Sequence, residues 1–270
     1  MKGLLIILMY VVLMWLVLLR GRKGHESWDV LRRYRYAHRG LHNSAEGIPE
    51  NSLAAFRLAA EHGYGAELDV HLTKDGQLAV IHDDSLLRTA GVDVKVSDLT
   101  SKELLEYRLE GTEERIPFLE EVVPIFEGVA PLIIELKVEK NAAALAKATC
   151  EMMDEFKAEY CIESFHPQAV RWLKKHRPEI CRGQLSQDFL KGNSTGKGKF
   201  VDFIMTHCLT SFLTMPDFIA YNHEHRNRLN LKIAKKVWQV QEVSWTVRTP
   251  EDMERCEAAG SLIIFENFKP

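Results

Sequence analysis

The sequence predicts an α/β domain in which eight short strands alternate with helices, preceded by one apolar helix. Three observations carry this expectation. Residues 3–19 contain no charged side chain and are dominated by Leu, Ile, Val and Met. Beyond them about 240 of the 270 residues remain, the size of one α/β barrel domain. Along that length, short β-branched or aromatic stretches alternate with stretches of helical periodicity. The composition, 46% hydrophobic and 27% charged, is that of a globular protein and excludes a disordered or collagen-like chain.

As a helix, the apolar run would be about 25 Å long, at the short end of what spans a hydrocarbon core. It lacks the polar stripe of a helix lying on a globular domain. A cleavable signal peptide is the competing reading, but Arg20-Gly21-Arg22-Lys23 follows where small residues and a cleavage site belong. The segment 1–25 is therefore expected to be an uncleaved single-pass anchor, with the main domain at 26–270. Only Lys2 precedes the run, whereas Arg20, Arg22, Lys23, Arg32, Arg33 and Arg35 follow it. Basic flanks stay on the cytoplasmic side, so a cell-membrane protein with a cytoplasmic domain is expected.

Candidate strands lie near 34–39, 65–72, 131–137, 160–165, 180–185, 218–221, 243–247 and 262–265. Helical stretches at 52–62, 118–126, 141–156, 167–176, 226–236 and 250–259 fit between most of them. Eight strands point to a (β/α)8 barrel; an open doubly wound sheet fits the alternation nearly as well. The loop 192–198 (GNSTGKG) is one residue too short for a phosphate loop and has Gly198 where Ser or Thr would bind magnesium. It reads as a surface loop. With 35 Lys and Arg against 38 Asp and Glu, the net charge is −3, which argues against nucleic-acid binding. The cysteines at 150, 161, 181, 208 and 256 form no C-x-x-C pair and read as reduced residues, mostly in the core.

Chemistry concentrates in four clusters near strand ends: Ala37-His38-Arg39-Gly40, Glu67-Leu68-Asp69-Val70-His71, Ile81-His82-Asp83 and Ile134-Glu135-Leu136-Lys137. Residues two apart on a strand share a face, so Glu67 lies beside Asp69 and Glu135 beside Lys137. Carboxylates in apolar strands are costly without compensation, and Lys137 alone cannot neutralise three of them. One divalent cation with oxygen ligands, Mg²⁺ or Ca²⁺, would do so. A salt-bridge network with Arg39 and Lys137 is the competing account. His38 and His82 flank the same cleft, and paired imidazoles titrating near neutrality can serve as general acid and general base. His71 shares the face of Glu67 and Asp69 and reads as a supporting or barrel-filling residue in preference to a ligand.

These motifs, together with Pro49-Glu50-Asn51-Ser52, Leu72-Thr73-Lys74-Asp75-Gly76 and Ile116-Pro117, resemble the glycerophosphodiester phosphodiesterase family. The likeness continues through Glu163-Ser164-Phe165-His166-Pro167 and Ser244-Trp245-Thr246-Val247. It spans residues 34–267. It implies a (β/α)8 TIM barrel with its site at the carboxyl ends of the strands. By the same resemblance Glu67, Asp69 and Glu135 are metal ligands, and His38 and His82 the acid–base pair. Arg39 and Lys137 bind the phosphate, and Asn51 shapes the metal end of the site. The chain departs from the family pattern at Ser52, where Thr is common, and at its carboxyl end. There Gly260-Ser261-Leu262 and residues 265–270 replace the usual Gly-Val-Asp and Thr-Asp-x-Pro.

The implied activity is metal-dependent hydrolysis of a small glycerophosphodiester to glycerol 3-phosphate and an alcohol. Two alternatives stand beside it. A lysophospholipase D would suit a membrane anchor and the apolar stretch 203–215, which otherwise reads as a barrel helix. A membrane-tethered binding protein on an inactive barrel is opposed by the presence of both histidines and all three carboxylates.

Overall fold

The computed structural model describes residues 2–192 and 194–270; Met1, in the segment 1–25, and Asn193, in the loop 192–198, lie outside the described residues. The strands are β1 (Tyr36–His38), β2 (Gly65–Leu72), β3 (Leu78–Val80), β4 (Leu132–Leu136), β5 (Tyr160–Ser164), β6 (Arg182–Ser186), β7 (Phe218–Asn222), β8 (Gln241–Val247) and β9 (Leu262–Phe265). All but β3 are parallel to their neighbours, and β1 pairs with both β9 and β2. The sheet therefore closes into an eight-stranded barrel, which excludes the open sheet. Strands of a closed parallel barrel are covered on both faces and read as near-continuous apolar runs; β4, LIIEL, is buried at every position. Against such a background a single acid in a strand stands out.

Helices Leu53–Glu61, Leu119–Phe126, Ala142–Met153, Pro167–His176, Lys199–Thr206, Leu229–Val237 and Pro250–Ala258 link the strands and cover the barrel. Several begin as the sequence predicts. Ala55 N donates to Ser52 Oγ at 3.1 Å, Ala143 and Ala144 N donate to Asn141 Oδ1, and Pro167 opens its helix. Lys199–Thr206 begins ahead of the stretch 203–215 that reads as a barrel helix, and its first turn lies outside the periodic segments because it carries apolar residues on two faces. The stretch 203–215 is mainly barrel packing: it breaks after Thr206, resumes at Ser211–Thr214, and buries Met205, Thr206, Cys208, Ser211 and Thr214.

Gly183 on β6 faces the barrel interior, where a Cβ would clash with the Phe218 ring. Gly183→Ala is therefore expected to destabilise the protein by about 1–3 kcal/mol through overpacking. Urea unfolding with an unchanged slope and a lowered midpoint would show it. All five cysteines are free and buried.

Between β2 and helix Leu119–Phe126 the chain makes an excursion that strand counting did not reveal. It contains β3, antiparallel to β2, and the short helices Leu87–Ala90 and Ser101–Leu104. This excursion has its own small core, including Ala79, Ile81, Leu86, Val96, Leu104 and Ile116.

The amino-terminal helix does not bear out the expected anchor. It runs Lys2–Leu18, 17 residues, or about 25 Å against a hydrocarbon core of about 30 Å. No helix among the described residues is long and apolar enough to cross a membrane, so the expected transmembrane anchor is not found. The helix stops because the chain then turns onto the barrel. Leu19 is buried with Cys208, Tyr221 and Val240, and Trp238 Nε1 donates to Leu16 O at 2.9 Å. Arg22 binds both carboxylate oxygens of Asp217, at 2.5 and 2.7 Å. Of the basic residues expected to flank a membrane, Arg22 is thus bonded to the barrel, and Arg35 pairs with Glu257 at 2.7 Å.

Candidate active site

The chemistry-bearing side chains meet at the carboxyl end of the barrel. Parallel register puts His38 of β1 beside Glu67 of β2, and Asp69 of β2 beside Glu135 of β4. Glu67, Asp69 and Glu135 are all buried, and each offers a carboxylate oxygen within 4.8 Å of the others. The three residues predicted as ligands are therefore brought together.

The chain after β1 is bent to serve this cluster. Arg39 and Asn51 both adopt left-handed backbone, φ 55° and 54°, a conformation that costs non-glycine residues of order 1–3 kcal/mol each. Asn51 N donates to Arg39 O at 2.9 Å and locks the pair. The bend aims Arg39 N at Glu67 Oε2 (3.2 Å), and Asn51 Nδ2 donates to Asp69 Oδ2 at 2.9 Å. Asn51 thus stands where the sequence placed it.

Two cations reach the cluster. Lys137 Nζ lies 3.1 Å from Glu135 Oε1 and 3.4 Å from Asp69 Oδ1; Arg39 Nε lies 3.5 Å from Asp69 Oδ2. The salt-bridge network envisaged as a rival is therefore present, but it does not balance the charge. Burial and the neighbouring acids Asp69, Glu135 and Glu163 push the Glu67 carboxyl well above its ordinary range. Burial likewise raises Glu135 to about 7 despite Lys137. Asp69 alone is held low: burial opposes this, but Lys137, His82 and Arg39 overcome it. Its Oδ1 accepts no hydrogen bond. An all-oxygen donor set, more buried carboxyl groups than Arg39 and Lys137 can neutralise, and an Asp69 oxygen that accepts no hydrogen bond fit a hard divalent cation.

The two histidines flank the cluster. His38 donates from Nδ1 to Glu266 Oε1 at 2.9 Å and turns Nε2 toward Glu67 Oε2, 3.9 Å away. His82 donates from Nδ1 to Asp83 Oδ1 at 2.6 Å. Each ring is held by a carboxylate on one nitrogen, which leaves Nε2 for other work. Burial draws both imidazoles below their ordinary pKa, opposed by Glu266 at His38 and by Asp69 at His82. His71 does not join the carboxylates. It bridges Glu139 Oε1 (2.9 Å) and the carbonyl of His82 (3.1 Å), supporting the backbone that carries the second imidazole.

Residues 38–268 match the family described as the glycerophosphoryl diester phosphodiesterase family. The chain belongs to this family. It is 32% identical over 240 residues to the glycerophosphodiester phosphodiesterase of Caldanaerobacter subterraneus, covering 83% of this chain and 89% of that one. It is 36% identical to a lysophospholipase D of Rattus norvegicus over 137 residues, 46% of this chain and 42% of the rat protein. The fold is similar to that of an Oleispira antarctica phosphodiesterase solved with its product sn-glycerol-3-phosphate. That likeness has a TM-score of 0.70 at 22% identity and covers 86% of this chain and 92% of that one.

Two features of this phosphodiesterase escaped the sequence reading. The first is Glu266. Pairing of Tyr36 with Ile264 and of Ala37 with Phe265 brings the residue after β9 beside His38. Barrel closure, which a linear reading does not display, makes this contact. Arg248 and His42 also reach Glu266, at 2.7 and 3.4 Å. The second is the chain of bonds behind His82. Asp83 accepts from Arg88 Nε (2.6 Å), Arg88 clasps Glu50 with two bonds, and Glu50 accepts from Arg39 Nη1 (2.9 Å). Glu50 belongs to the quoted Pro-Glu-Asn-Ser stretch, so the motif itself was the available signal.

Glu266→Gln tests the first feature. It removes the charge that holds the His38 pKa up. The limb of the pH–rate profile governed by His38 is expected to move to lower pH, with turnover down about 10–100-fold. An unmoved profile would make Glu266 merely structural.

A cavity of about 780 Å³ opens from the cluster. His82, Glu135 and Lys137 are part of its lining, and Phe165, Phe189, Val201, Ile204 and Met205 make up the apolar arm of that lining. His166, also on the wall, has a buried Nδ1 without a partner.

Proposed function

We propose that this chain hydrolyses glycerophosphodiesters to glycerol 3-phosphate and an alcohol, with His38 and His82 as the proton-transferring pair. One observation carries the proposal: three buried carboxylates converge within 4.8 Å, and two carboxylate-held imidazoles flank them.

Glu67, Asp69 and Glu135 would hold one Mg²⁺ or Ca²⁺, which when bound supplies charge withdrawal at a phosphoryl oxygen. The rest falls to the chain's own groups. Arg39 and Lys137 place fixed positive charge where the phosphodiester sits and where its transition state becomes more negative. One histidine, through Nε2, takes the proton of the attacking oxygen, that of water or of the substrate's neighbouring hydroxyl. The other delivers a proton to the leaving oxygen as the P–O bond breaks. If the hydroxyl attacks, water then opens the cyclic phosphate to glycerol 3-phosphate. Glu266 and Asp83 keep the rings oriented. Asn51 holds Asp69, and His71 supports the backbone at His82.

A second reading is favoured by the apolar arm. A lysophospholipid would place its acyl chain along Phe165, Phe189 and Ile204 and yield an acylated glycerol phosphate and a free head-group alcohol. The likeness to the rat lysophospholipase D supports it.

The test is release of phosphorylated product from glycerophosphocholine and from a lysophosphatidylcholine, each with Mg²⁺, with Ca²⁺ and with EDTA. Glycerol 3-phosphate from the first, abolished by EDTA, is the expected result. A kcat/KM higher by tenfold or more for the second substrate would establish the alternative. Silence on both, in protein shown to bind the cation, would remove the proposal.

A further inference from the structure

The helix Lys199–Thr206 carries apolar side chains on two faces. Val201, Ile204 and Met205 line the cavity. Phe200 and Phe203, at i and i+3, point the other way and are 76% and 46% exposed. A helix on the surface of a globular domain ordinarily presents a polar outer face, so two outward phenylalanines call for a partner.

The charge around them says which. Lys191, Lys197 and Lys199 are exposed, whereas the acid of the stretch, Asp202, is buried. Asp202 is consumed internally, accepting from Ser194 Oγ at 2.8 Å and from Thr195 N and Oγ1 at 2.8 and 2.6 Å. Those bonds fold the preceding segment over the first helical turn and keep Lys197 and Lys199 beside Phe200. Exposed aromatics flanked by lysines, in a chain whose net charge is −3, match an anionic lipid surface, into which rings insert while ammonium groups meet head groups.

We infer that the outer face of helix Lys199–Thr206 is a lipid-contacting rim that sets the mouth of the apolar arm on an anionic membrane surface. The inference goes beyond the substrate reading, since a rim of this kind positions the cavity whichever diester is cut.

The test uses the full chain with Phe200→Cys labelled by an environment-sensitive fluorophore. The native cysteines are all buried, which leaves the engineered thiol as the accessible one. Vesicles of phosphatidylglycerol and phosphatidylcholine are the probe. The label is expected to shift to the blue by roughly 10 nm or more on the vesicles and to be quenched by a brominated lipid. The same label at Arg57→Cys, exposed on helix Leu53–Glu61 across the barrel, should not respond. Adding Lys199→Glu should cut the response at Phe200→Cys by about half or more, while hydrolysis of glycerophosphocholine, or circular dichroism should none occur, confirms the fold. Equal spectra at the two positions on vesicles would overturn the inference. So would a shift at Phe200→Cys that grows with protein concentration without lipid, because the face would then bind a second copy. Neither outcome bears on which diester is hydrolysed.

Discussion

His82→Ala is expected to lower turnover on a glycerophosphodiester by about 10²–10⁴-fold, the size of a lost general acid or base. The ring's removal leaves the three carboxylates, Arg39 and Lys137 in place, so KM should change far less than kcat. His82 is half-buried at the cavity wall, and circular dichroism should show an unaltered fold. Asp83→Asn separates positioning from proton transfer. Asp83 raises the His82 pKa, so the limb governed by His82 should move to lower pH, with a smaller fall in kcat than in the alanine variant. Wild-type turnover in His82→Ala would remove this residue from the mechanism.

The second large effect concerns the carboxylate cluster. Saturating Mg²⁺ or Ca²⁺ is expected to stabilise the wild-type protein by about 2.7 kcal/mol at a hundredfold excess over Kd. Glu67→Gln should lose most of that gain along with activity. The pH dependence follows from protonation. Glu135 is raised from its ordinary 4.5 to about 7 in the folded chain, and burial beside the neighbouring acids raises Glu67 as well. Without the cation the folded state binds more protons than the unfolded one, so stability conferred by these carboxyls falls as pH climbs from about 4.5 through 7. The bound cation requires the ionised carboxylates, so its stabilising effect grows over the same range. Thermal melts at pH 5 and pH 8, with EDTA and with the ion, should show a larger increment at pH 8. An equal increment at both, or none, would contradict the assignment of this cluster to a metal.

Much of the site was legible in the chain because buried charge is conspicuous in strands. Glu67 and Asp69 interrupt one apolar segment at a period of two, as Glu135 and Lys137 do another, which puts each pair on one face; the family resemblance placed those faces in a barrel. His38 and Arg39 were legible as the close of the first strand. What stayed hidden depends on closure. Glu266 meets His38 only because β9 lies beside β1, a pairing between residues 228 positions apart. The start of helix Lys199–Thr206 was hidden because apolar residues on both faces blur the periodicity that marks a half-buried helix. The amino-terminal run is ambiguous for a related reason. Its basic flank looks like a membrane boundary in sequence, whereas Arg22 is bonded to Asp217 near the start of β7.

The excursion between β2 and the helix at Leu119 is a small unit within the larger fold. His82 rides on it, and its apolar residues pack in a nucleus apart from that of the barrel. Small cooperative units open at lower free energy than the whole molecule. On warming, this unit should therefore loosen first, so that inactivation runs ahead of the global melt and reverses on cooling. Substitutions that fill out its packing, such as those around Ile81 and Val96, would extend the working temperature without touching the barrel.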